Sequence, residues 1–296
     1  MTNHPGSAFF IVGTGRCGTN LLRNLLQVHP DVWIARETHW LPILFHFYGL
    51  QEISAQQFLH VIQSVYMAKG RTAFERMMMN HLDPEMFKRK LLERLSSSPH
   101  ATIREFMLAY YTLLAERNQA SIWGDKTPDY GLCMGIIQTI WPEAKFLHIV
   151  RDGRDVALSM SKVLSFRYLV AWEINHWFGI AYQKQYAQKK TLTESFLPVE
   201  RFYELWRSRL LRTRDEARRL QGDCYREIHY EALLHHAPRI LKDISQFLNL
   251  PDGGNWIQEA AALIKYDPVG KNLDNPEYLM LTDRYAADLN ALGFKP

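Results

Sequence analysis

The sequence has three cysteines, no long apolar run and little net charge. Cys17, Cys133 and Cys224 lie far apart, match no metal-ligand spacing and are too few for a disulfide framework, which fits a reducing compartment. No apolar run approaches the roughly 18 residues that a membrane-spanning helix needs, and the amino terminus lacks the pattern of a signal peptide. We therefore expect a soluble, cytoplasmic protein without a membrane span.

The net charge is +4 over 296 residues, and the Lys and Arg residues are scattered or lie beside carboxylates, as in 212-RTRDEARR-219. This distribution suits an anionic small ligand better than a nucleic acid. Hydrophobic residues make up 47% of the chain, which is enough for a core and argues against disorder. We expect a single domain over residues 1–296, and the sequence does not indicate its oligomeric state.

Short apolar runs typical of buried parallel strands alternate with helical patterns along the chain. The strand candidates are 8-AFFIV-12, 32-VWIA-35, 121-SIW-123, 145-KFLHIV-150 and, more weakly, 224-CYREIHY-230. Residues from about 50 to 120 carry helical patterning with breaks near Gly70, Pro84 and Pro99. The alternation predicts a P-loop-like, three-layer α/β fold with a central parallel sheet flanked by helices, and with this helical insertion covering the site. We expect the final 30 residues to be loop-rich.

A glycine-bearing segment, 13-GTGRCGTN-20, follows the first strand and leads into a helix. Such a loop offers several backbone N–H groups and the positive end of the helix dipole, which together favour a phosphate or a sulfate. A nucleotide kinase needs the pattern G-x-x-x-x-G-K-[ST], in which the lysine reaches the outer phosphates. Here Thr19 follows Gly18, and the cation lies inside the loop as Arg16. This argues against ATP chemistry.

Basic residues also follow two other predicted strands. Lys126 ends one of them, and Arg151 follows 145-KFLHIV-150 just before a helix that carries Ser159. Ligands of open α/β sheets bind along the carboxyl ends of the strands, so we expect these residues to converge, with a phosphate between Arg151 and Ser159. We expect Arg154 and Asp155 to be solvated charges that cap the helix.

These motifs resemble those of sulfotransferases that use 3′-phosphoadenosine-5′-phosphosulfate (PAPS), in particular tyrosylprotein sulfotransferases and their bacterial relatives. The segments that carry the resemblance are 13-GTGRCGTNLL-22 for the 5′-phosphosulfate loop, 147-LHIVRDGRDVALSM-160 for the 3′-phosphate motif, 29-HPDVWIARETHWLPILF-45, 125-DKTP-128 and 228-IHYEALLHHAPRILKDISQFLNL-250. The resemblance implies transfer of a sulfuryl group from PAPS to a hydroxyl, with no metal.

The resemblance also implies roles for single residues. Glu37 matches the catalytic base, and Lys126 and Arg16 match cations near the transferred group. The implied cofactor-binding residues are Gly15, Arg16, Cys17, Gly18, Thr19, Asn20, Arg151 and Ser159, with Tyr230 and Lys271 as weaker candidates. His39 is the rival base, but the histidine of cytosolic relatives follows the lysine, where this chain has Thr127.

The sequence does not specify the acceptor, and a saccharide, a lipid, a small natural product and a peptide tyrosine all remain open. Two other functions also remain: a P-loop nucleotide kinase, and a non-catalytic nucleotide-binding protein of the same fold. His148 lies inside an apolar strand, so we interpret it as a core histidine without a chemical role.

Overall fold

The computed structural model describes residues 8–64, 66–67, 71–72, 84–96, 100–174, 196–265 and 269–295. In chain order, the strands are β1 (Phe9–Gly13), β2 (Val32–Arg36), β3 (Ile53–Ser54), β4 (Tyr66–Met67), β5 (Arg71–Thr72), β6 (His100–Ala101), β7 (Ile122–Lys126), β8 (Lys145–Val150) and β9 (Tyr225–His229). The helices are α1 (Thr19–Leu26), α2 (Leu41–Tyr48), α3 (Ala55–Ser64), α4 (Pro84–Leu95), α5 (Ile103–Arg117), α6 (Met134–Ile140), α7 (Gly153–Ser161), α8 (Leu164–Ala171), α9 (Val199–Arg219), α10 (Tyr230–His235), α11 (Ala237–Leu248), α12 (Trp256–Ala262) and α13 (Pro276–Leu292). A 3₁₀ helix spans Pro128–Leu132.

The central sheet has five parallel strands in the order β2-β7-β1-β8-β9. Its middle strand, β1, is buried along its whole length, and its side chains alternate between two cores. Phe10 and Val12 pack into one core, and Phe9 and Ile11 pack into the other. Helices therefore cover both faces of the sheet, which confirms the predicted α/β fold class and all five predicted strands.

Of the described helices, α3, α4 and α5 lie within residues 50–120, the segment for which the sequence predicts a helical insertion. Helix α5 begins with a capping box: Thr102 accepts a hydrogen bond from the N–H of Glu105, whose carboxylate accepts one from the N–H of Thr102 at 2.8 Å. The short pairs β3–β6 and β4–β5 are antiparallel. The number of domains stays a prediction.

The prediction of a loop-rich carboxyl terminus was wrong, because α13 occupies most of it. Asn275 caps this helix by accepting hydrogen bonds from two N–H groups of the first turn, at 2.9 and 3.3 Å, and Pro276 begins it. Its buried residues, Tyr278, Leu281, Leu289 and Leu292, join the core that also contains α7 and α9. Among the described helices, none combines the length and hydropathy needed to cross a membrane.

Candidate functional site

The carboxyl ends of four neighbouring strands bring most of the predicted residues to one edge of the sheet. Gly13 at the end of β1 lies opposite Ile149 in β8, and Arg36 at the end of β2 lies opposite Lys126 in β7. The loop of residues 13–20 and the segments after β2, β7 and β8 therefore start side by side. Parallel α/β sheets place their ligands at this edge.

The loop of residues 13–20 has a backbone that depends on its glycines. Gly15 and Gly18 have φ angles of 85° and 104°, and Arg16 between them is also left-handed, at 57°. A Cβ atom on Gly18 would lie 2.4 Å from Cδ2 of Tyr230, so the Tyr230 ring packs directly against the loop. Gly18 is also the N-cap of α1, which leaves the first N–H groups of that helix at the loop.

Side chains of the loop point in different directions. Arg16 is exposed, and its Nε donates a hydrogen bond to Oγ of Ser159 at 3.0 Å, although the sequence assigned these two residues to different ends of the donor. Asn20 is exposed and Thr19 is buried. Cys17 is fully buried, and its burial raises the pKa of its thiol. The Cys17 side chain is therefore part of the core, and its backbone is the part that lies in the loop.

Glu37 and Lys126 form an ion pair at the ends of β2 and β7. Nζ of Lys126 donates to Oε1 of Glu37 at 2.6 Å, and the N–H of Glu37 donates to the carbonyl of Lys126 at 2.9 Å. The side chain of Lys126 is 3% exposed and that of Glu37 is 27% exposed. The structure thus brings together the two side chains that the sequence assigned to the chemical step.

His39 lies beside this pair. Its backbone is left-handed, with a φ of 59°, and its Nε2 is 3.9 Å from Oε2 of Glu37, which is an ion-pair distance rather than a hydrogen bond. Burial by itself raises the pKa of Glu37, but His39 and the charge of Lys126 outweigh it and hold this pKa well below its ordinary value. Glu37 is therefore a carboxylate at neutral pH.

Arg151 lies over the face of Tyr230, with its guanidinium carbon 4.6 Å from the ring centroid. Its Nη2 donates to Oδ2 of Asp155 at 3.0 Å, and Oδ1 of Asp155 accepts from Nδ2 of Asn272 at 2.6 Å. Arg151 is buried, and its Nε contacts no acceptor within the described part of the chain. The exposed Lys271 adjoins Asn272, so its loop reaches the Arg151 side of the site.

The prediction that Arg154 and Asp155 are solvated charges was wrong, because they are only 5% and 8% exposed. The helix is capped instead by Asp152, whose Oδ1 accepts from the N–H of Arg154 at 2.8 Å. The Arg154 guanidinium donates to Asp152 and to the hydroxyl of Thr282, and it stacks on Tyr278 at 4.5 Å. Arg154 thus ties α7 to α13, an element that the sequence reasoning had missed.

Sequence reasoning also missed a buried group of side chains behind the Glu37–Lys126 pair. We call it the hydroxyl cluster; it consists of Thr38, Tyr111, Asp125, Thr127 and Tyr130. Oδ2 of Asp125 accepts from Thr38 at 2.7 Å and from Tyr111 at 2.5 Å, and Oδ1 accepts from Thr127 at 2.7 Å. The hydroxyls of Thr38 and Tyr130 lie 2.6 Å apart. All five side chains are buried.

A second missed residue, Arg209, lies on α9 beneath the loop of residues 13–20. It is 1% exposed and forms an ion pair with Asp129 of the 3₁₀ helix. Its Nη1 is 3.7 Å from the place that a Cβ atom on Gly15 would occupy. Burial lowers the pKa of Arg209 to about 10, so it remains charged at neutral pH. This cation sits under the loop, where no local pattern of the sequence marks it.

His148 is a core histidine, as the sequence indicates. It is fully buried, and its Nδ1 lies 2.6 Å from the hydroxyl of Tyr225 and 3.6 Å from Oε2 of Glu227. Burial lowers its pKa to about 4. His148 is therefore neutral at physiological pH and takes no part in the sheet-edge site.

Comparison with known proteins places these features in a family. A model of the sulfotransferase family matches residues 8–253. Protein-tyrosine sulfotransferase 1 of Danio rerio is 24% identical over 242 residues, which make up 82% of this chain and 53% of that protein. The chain thus spans about half the length of this curated relative.

Solved structures with a similar fold include two sulfotransferase domains. The sulfotransferase domain from the curacin biosynthetic pathway has a TM-score of 0.57 at 18% identity, over 96% of this chain and 98% of that one. The sulfotransferase domain of the Synechococcus PCC 7002 olefin synthase has a TM-score of 0.51 at 19% identity, over 94% of this chain and 85% of that one. Since the family model covers the chain from β1 to the segment before α12, the chain belongs to the sulfotransferase family, the class of enzyme that its motifs predict.

Proposed function

We propose that the protein transfers a sulfuryl group from PAPS to a hydroxyl of an acceptor. The observation that carries the proposal is the contact between Glu37 and Lys126, a carboxylate and an ammonium 2.6 Å apart, beside a phosphate-type loop. A base for the acceptor and a cation for the transferred group are the two parts that in-line transfer needs. The family assignment supports the same chemistry.

The two ends of the site suit the two anionic ends of the donor. The loop amides, the start of α1 and Arg16 would hold the 5′-phosphosulfate. Arg151 has an Nε that meets no acceptor in the described structure, and together with Ser159 it would hold the 3′-phosphate. The Tyr230 ring packs against both Gly18 and Arg151, so it would keep the two ends at a fixed spacing.

In the proposed reaction the acceptor oxygen forms a bond to sulfur, and the bond from sulfur to the 5′-phosphate oxygen breaks. The proton of the acceptor hydroxyl goes to Glu37, and Lys126 and Arg16 stabilise the charge on the departing phosphate. The products are a sulfate ester and 3′-phosphoadenosine-5′-phosphate (PAP). The protein needs to supply position and charge rather than a covalent intermediate.

The ion pair sets a condition on this mechanism, because a carboxylate with a strongly lowered pKa is a weak base. His39 and Lys126 together hold down the pKa of Glu37. When Lys126 turns toward the oxygens of the sulfuryl group, Glu37 loses a neutralising neighbour and its pKa rises. The basicity of Glu37 would therefore increase once the donor is bound.

Glu37 is the proposed base, and His39 is the neighbour that, with Lys126, lowers the pKa of Glu37. Glu37 is the more exposed of the two, at 27% against 6% for the His39 side chain, and it contacts Lys126 directly. We expect Glu37→Gln to lower turnover roughly 10²–10⁴-fold without loss of PAP affinity. A His39→Gln variant with the larger loss of turnover would reverse the assignment.

The acceptor is proposed only as a hydroxyl, which a saccharide, a lipid, a small natural product or a peptide tyrosine would provide. The names of the relatives suggest different acceptors, since one is named for protein tyrosine and another comes from a biosynthetic pathway. A nucleotide kinase is disfavoured because Thr19 stands where its lysine would follow the last glycine.

Calorimetric titration tests the proposal without an acceptor. The purified protein is titrated with PAP and, separately, with ATP and magnesium. Micromolar binding of PAP alone is expected. Preference for magnesium-ATP would favour the kinase alternative, while PAP binding without turnover on any hydroxyl would favour a non-catalytic protein of the same fold.

A further inference from the structure

The hydroxyl cluster lies next to the proposed catalytic pair along both strands. Thr38 follows Glu37, and Asp125 precedes Lys126. The backbones are paired here as well, because Ala35 and Arg36 lie opposite Asp125 and Lys126. Each member of the catalytic pair thus has a neighbour in the chain that is tied to Asp125.

The hydrogen atoms of the cluster can be assigned one by one. The Thr38 hydroxyl donates to Asp125, so the Tyr130 hydroxyl must donate to Thr38, and the N–H of Leu41 donates to Tyr130 at 3.3 Å. The N–H of Thr38 donates to the Thr127 hydroxyl at 2.8 Å, and Thr127 in turn donates to Asp125. Asp125 therefore accepts hydrogen bonds from three hydroxyls. Burial raises the pKa of its carboxyl, and the hydrogen bonds from Tyr111, Thr127 and Thr38 offset part of that rise.

A buried carboxylate is tolerated only when its donors are well placed. Asp125 is fully buried, and its donors come from the segment after β2, from α5 and from the segment after β7. These three segments are thus joined through one carboxyl group. Backbone hydrogen bonds already pair β2 with β7, so the cluster is not needed to hold these two strands together in the sheet.

We propose that Asp125 is a positioning residue: through Thr38 and Thr127 it fixes the backbone that carries Glu37 and Lys126, and so keeps their side chains in contact. This inference rests on the proposed function for the roles of the pair. The contact itself is a property of the chain and can be tested without a donor or an acceptor.

The test compares three substitutions of buried threonines. Thr38→Val removes the hydroxyl at nearly constant volume, and Thr38→Ser keeps the hydroxyl. Thr213→Val is the control, because Thr213 is 1% exposed and its hydroxyl bonds to nothing in the described structure. The pKa of Glu37 is read from the ¹³C NMR signal of its carboxyl carbon, which Glu37→Gln identifies by removing it.

We expect Thr38→Val to raise the pKa of Glu37 by about one unit or more, because the carboxylate moves away from Lys126. Thr38→Ser and Thr213→Val should titrate like the wild type. An unchanged Glu37 in Thr38→Val would overturn the inference, and so would equal shifts in Thr38→Val and Thr38→Ser. Should Thr38→Val not fold, Tyr111→Phe removes another donor to Asp125, and the same shift is expected.

PAP titration of the same variants tests whether the effect is confined to Glu37 and Lys126 or also reaches the loop of residues 13–20. Within the described part of the chain, the hydrogen bonds of the cluster do not reach the loop of residues 13–20, so PAP affinity should stay within about twofold of the wild type. A tenfold loss of PAP affinity in Thr38→Val, with the affinity of Thr213→Val unchanged, would contradict a role of the cluster that is confined to Glu37 and Lys126. A wild type that fails to bind PAP would refute the proposed function, and the NMR comparison would still decide this inference.

Discussion

The contact between Glu37 and Lys126 can be measured as a coupling free energy. Lys126 is almost fully buried and Glu37 is about a quarter exposed, so the pair lies between the buried and surface classes of ion pair. Breaking a buried pair from one side costs roughly 3–5 kcal/mol, and an exposed pair contributes roughly 0–1 kcal/mol. We expect Glu37→Gln to lower the free energy of unfolding by about 2–3 kcal/mol, because it leaves the ammonium in the interior without this carboxylate.

Lys126→Met should cost less, about 1 kcal/mol, because the Glu37 carboxylate reaches solvent. The double variant leaves neither charge behind, so its loss of stability should be smaller than the sum of the two single losses by about 1–2 kcal/mol. Urea denaturation of the four proteins measures this difference. The matched control is the exposed pair Asp215 and Arg218, whose oxygen and nitrogen lie 2.5 Å apart and for which we expect no measurable coupling.

A coupling below about 0.5 kcal/mol between Glu37 and Lys126 would refute the reasoning, since a pair at this distance and burial cannot be energetically silent. It would also remove the proposed link between donor binding and the basicity of Glu37. A coupling free energy equal to that of the Asp215–Arg218 pair would mean that Glu37 and Lys126 interact no more strongly than an exposed surface ion pair.

Three further predictions concern other parts of the molecule. Gly18→Ala should abolish PAP binding in calorimetry, because its Cβ would meet Tyr230 at 2.4 Å in a left-handed backbone, and wild-type affinity would contradict the loop geometry. Arg151→Ala should weaken PAP binding at least about tenfold through lost charge-assisted bonds, whereas Arg218→Ala should not; equal affinities would remove Arg151 from the site. Stability should fall as the pH drops from about 6.5 to about 4, because buried His148 excludes the proton that the unfolded chain accepts. His148 contributes a slope of up to about 1.4 kcal/mol per pH unit, which His148→Phe should remove from urea denaturation curves.

The sequence predicted the sheet well because the signals of its strands are local. Strands β1, β2 and β8 are short, mostly apolar runs, and the loop after β1 is marked by glycines whose positive φ angles the structure requires. The residues at the strand ends were also found, since a parallel sheet brings its carboxyl ends together whatever the intervening chain does. The contact of Lys126 with Glu37, 89 positions earlier, follows from that topology.

Helix α13 was missed although its start carries a readable signal. Asn275 followed by Pro276 is a common N-cap and first-turn pair, and the apolar residues after it recur at helical spacing. Between them stand many polar residues, which made the segment look like loop. Its helical state is stabilised by packing on α7 and α9, which a single segment does not reveal.

The remaining misses depend on distant contacts between polar side chains. Asp125 takes a hydrogen bond from Tyr111 on a neighbouring helix, and Arg209 meets Asp129 across 80 positions. A charged residue in sequence is by default a solvated one, and only the fold shows that these are enclosed. The burial of Arg154 has the same origin, because its partner Thr282 lies on α13, 128 positions away.

The cations of the site share a further property: each already holds a partner within the protein. Arg16 is bonded to Ser159, Lys126 to Glu37 and Arg151 to Asp155. A ligand therefore has to displace a protein partner at each of these cations, and only Nε of Arg151, which meets no acceptor in the described structure, offers an unused donor. A small anion such as sulfate gains little by displacing one partner. A molecule with two separated anionic groups displaces partners at both ends of the site. It loses its translational entropy only once, whereas two separate anions would each lose theirs. We therefore expect the site to bind a molecule with two separated anionic groups in preference to a simple anion.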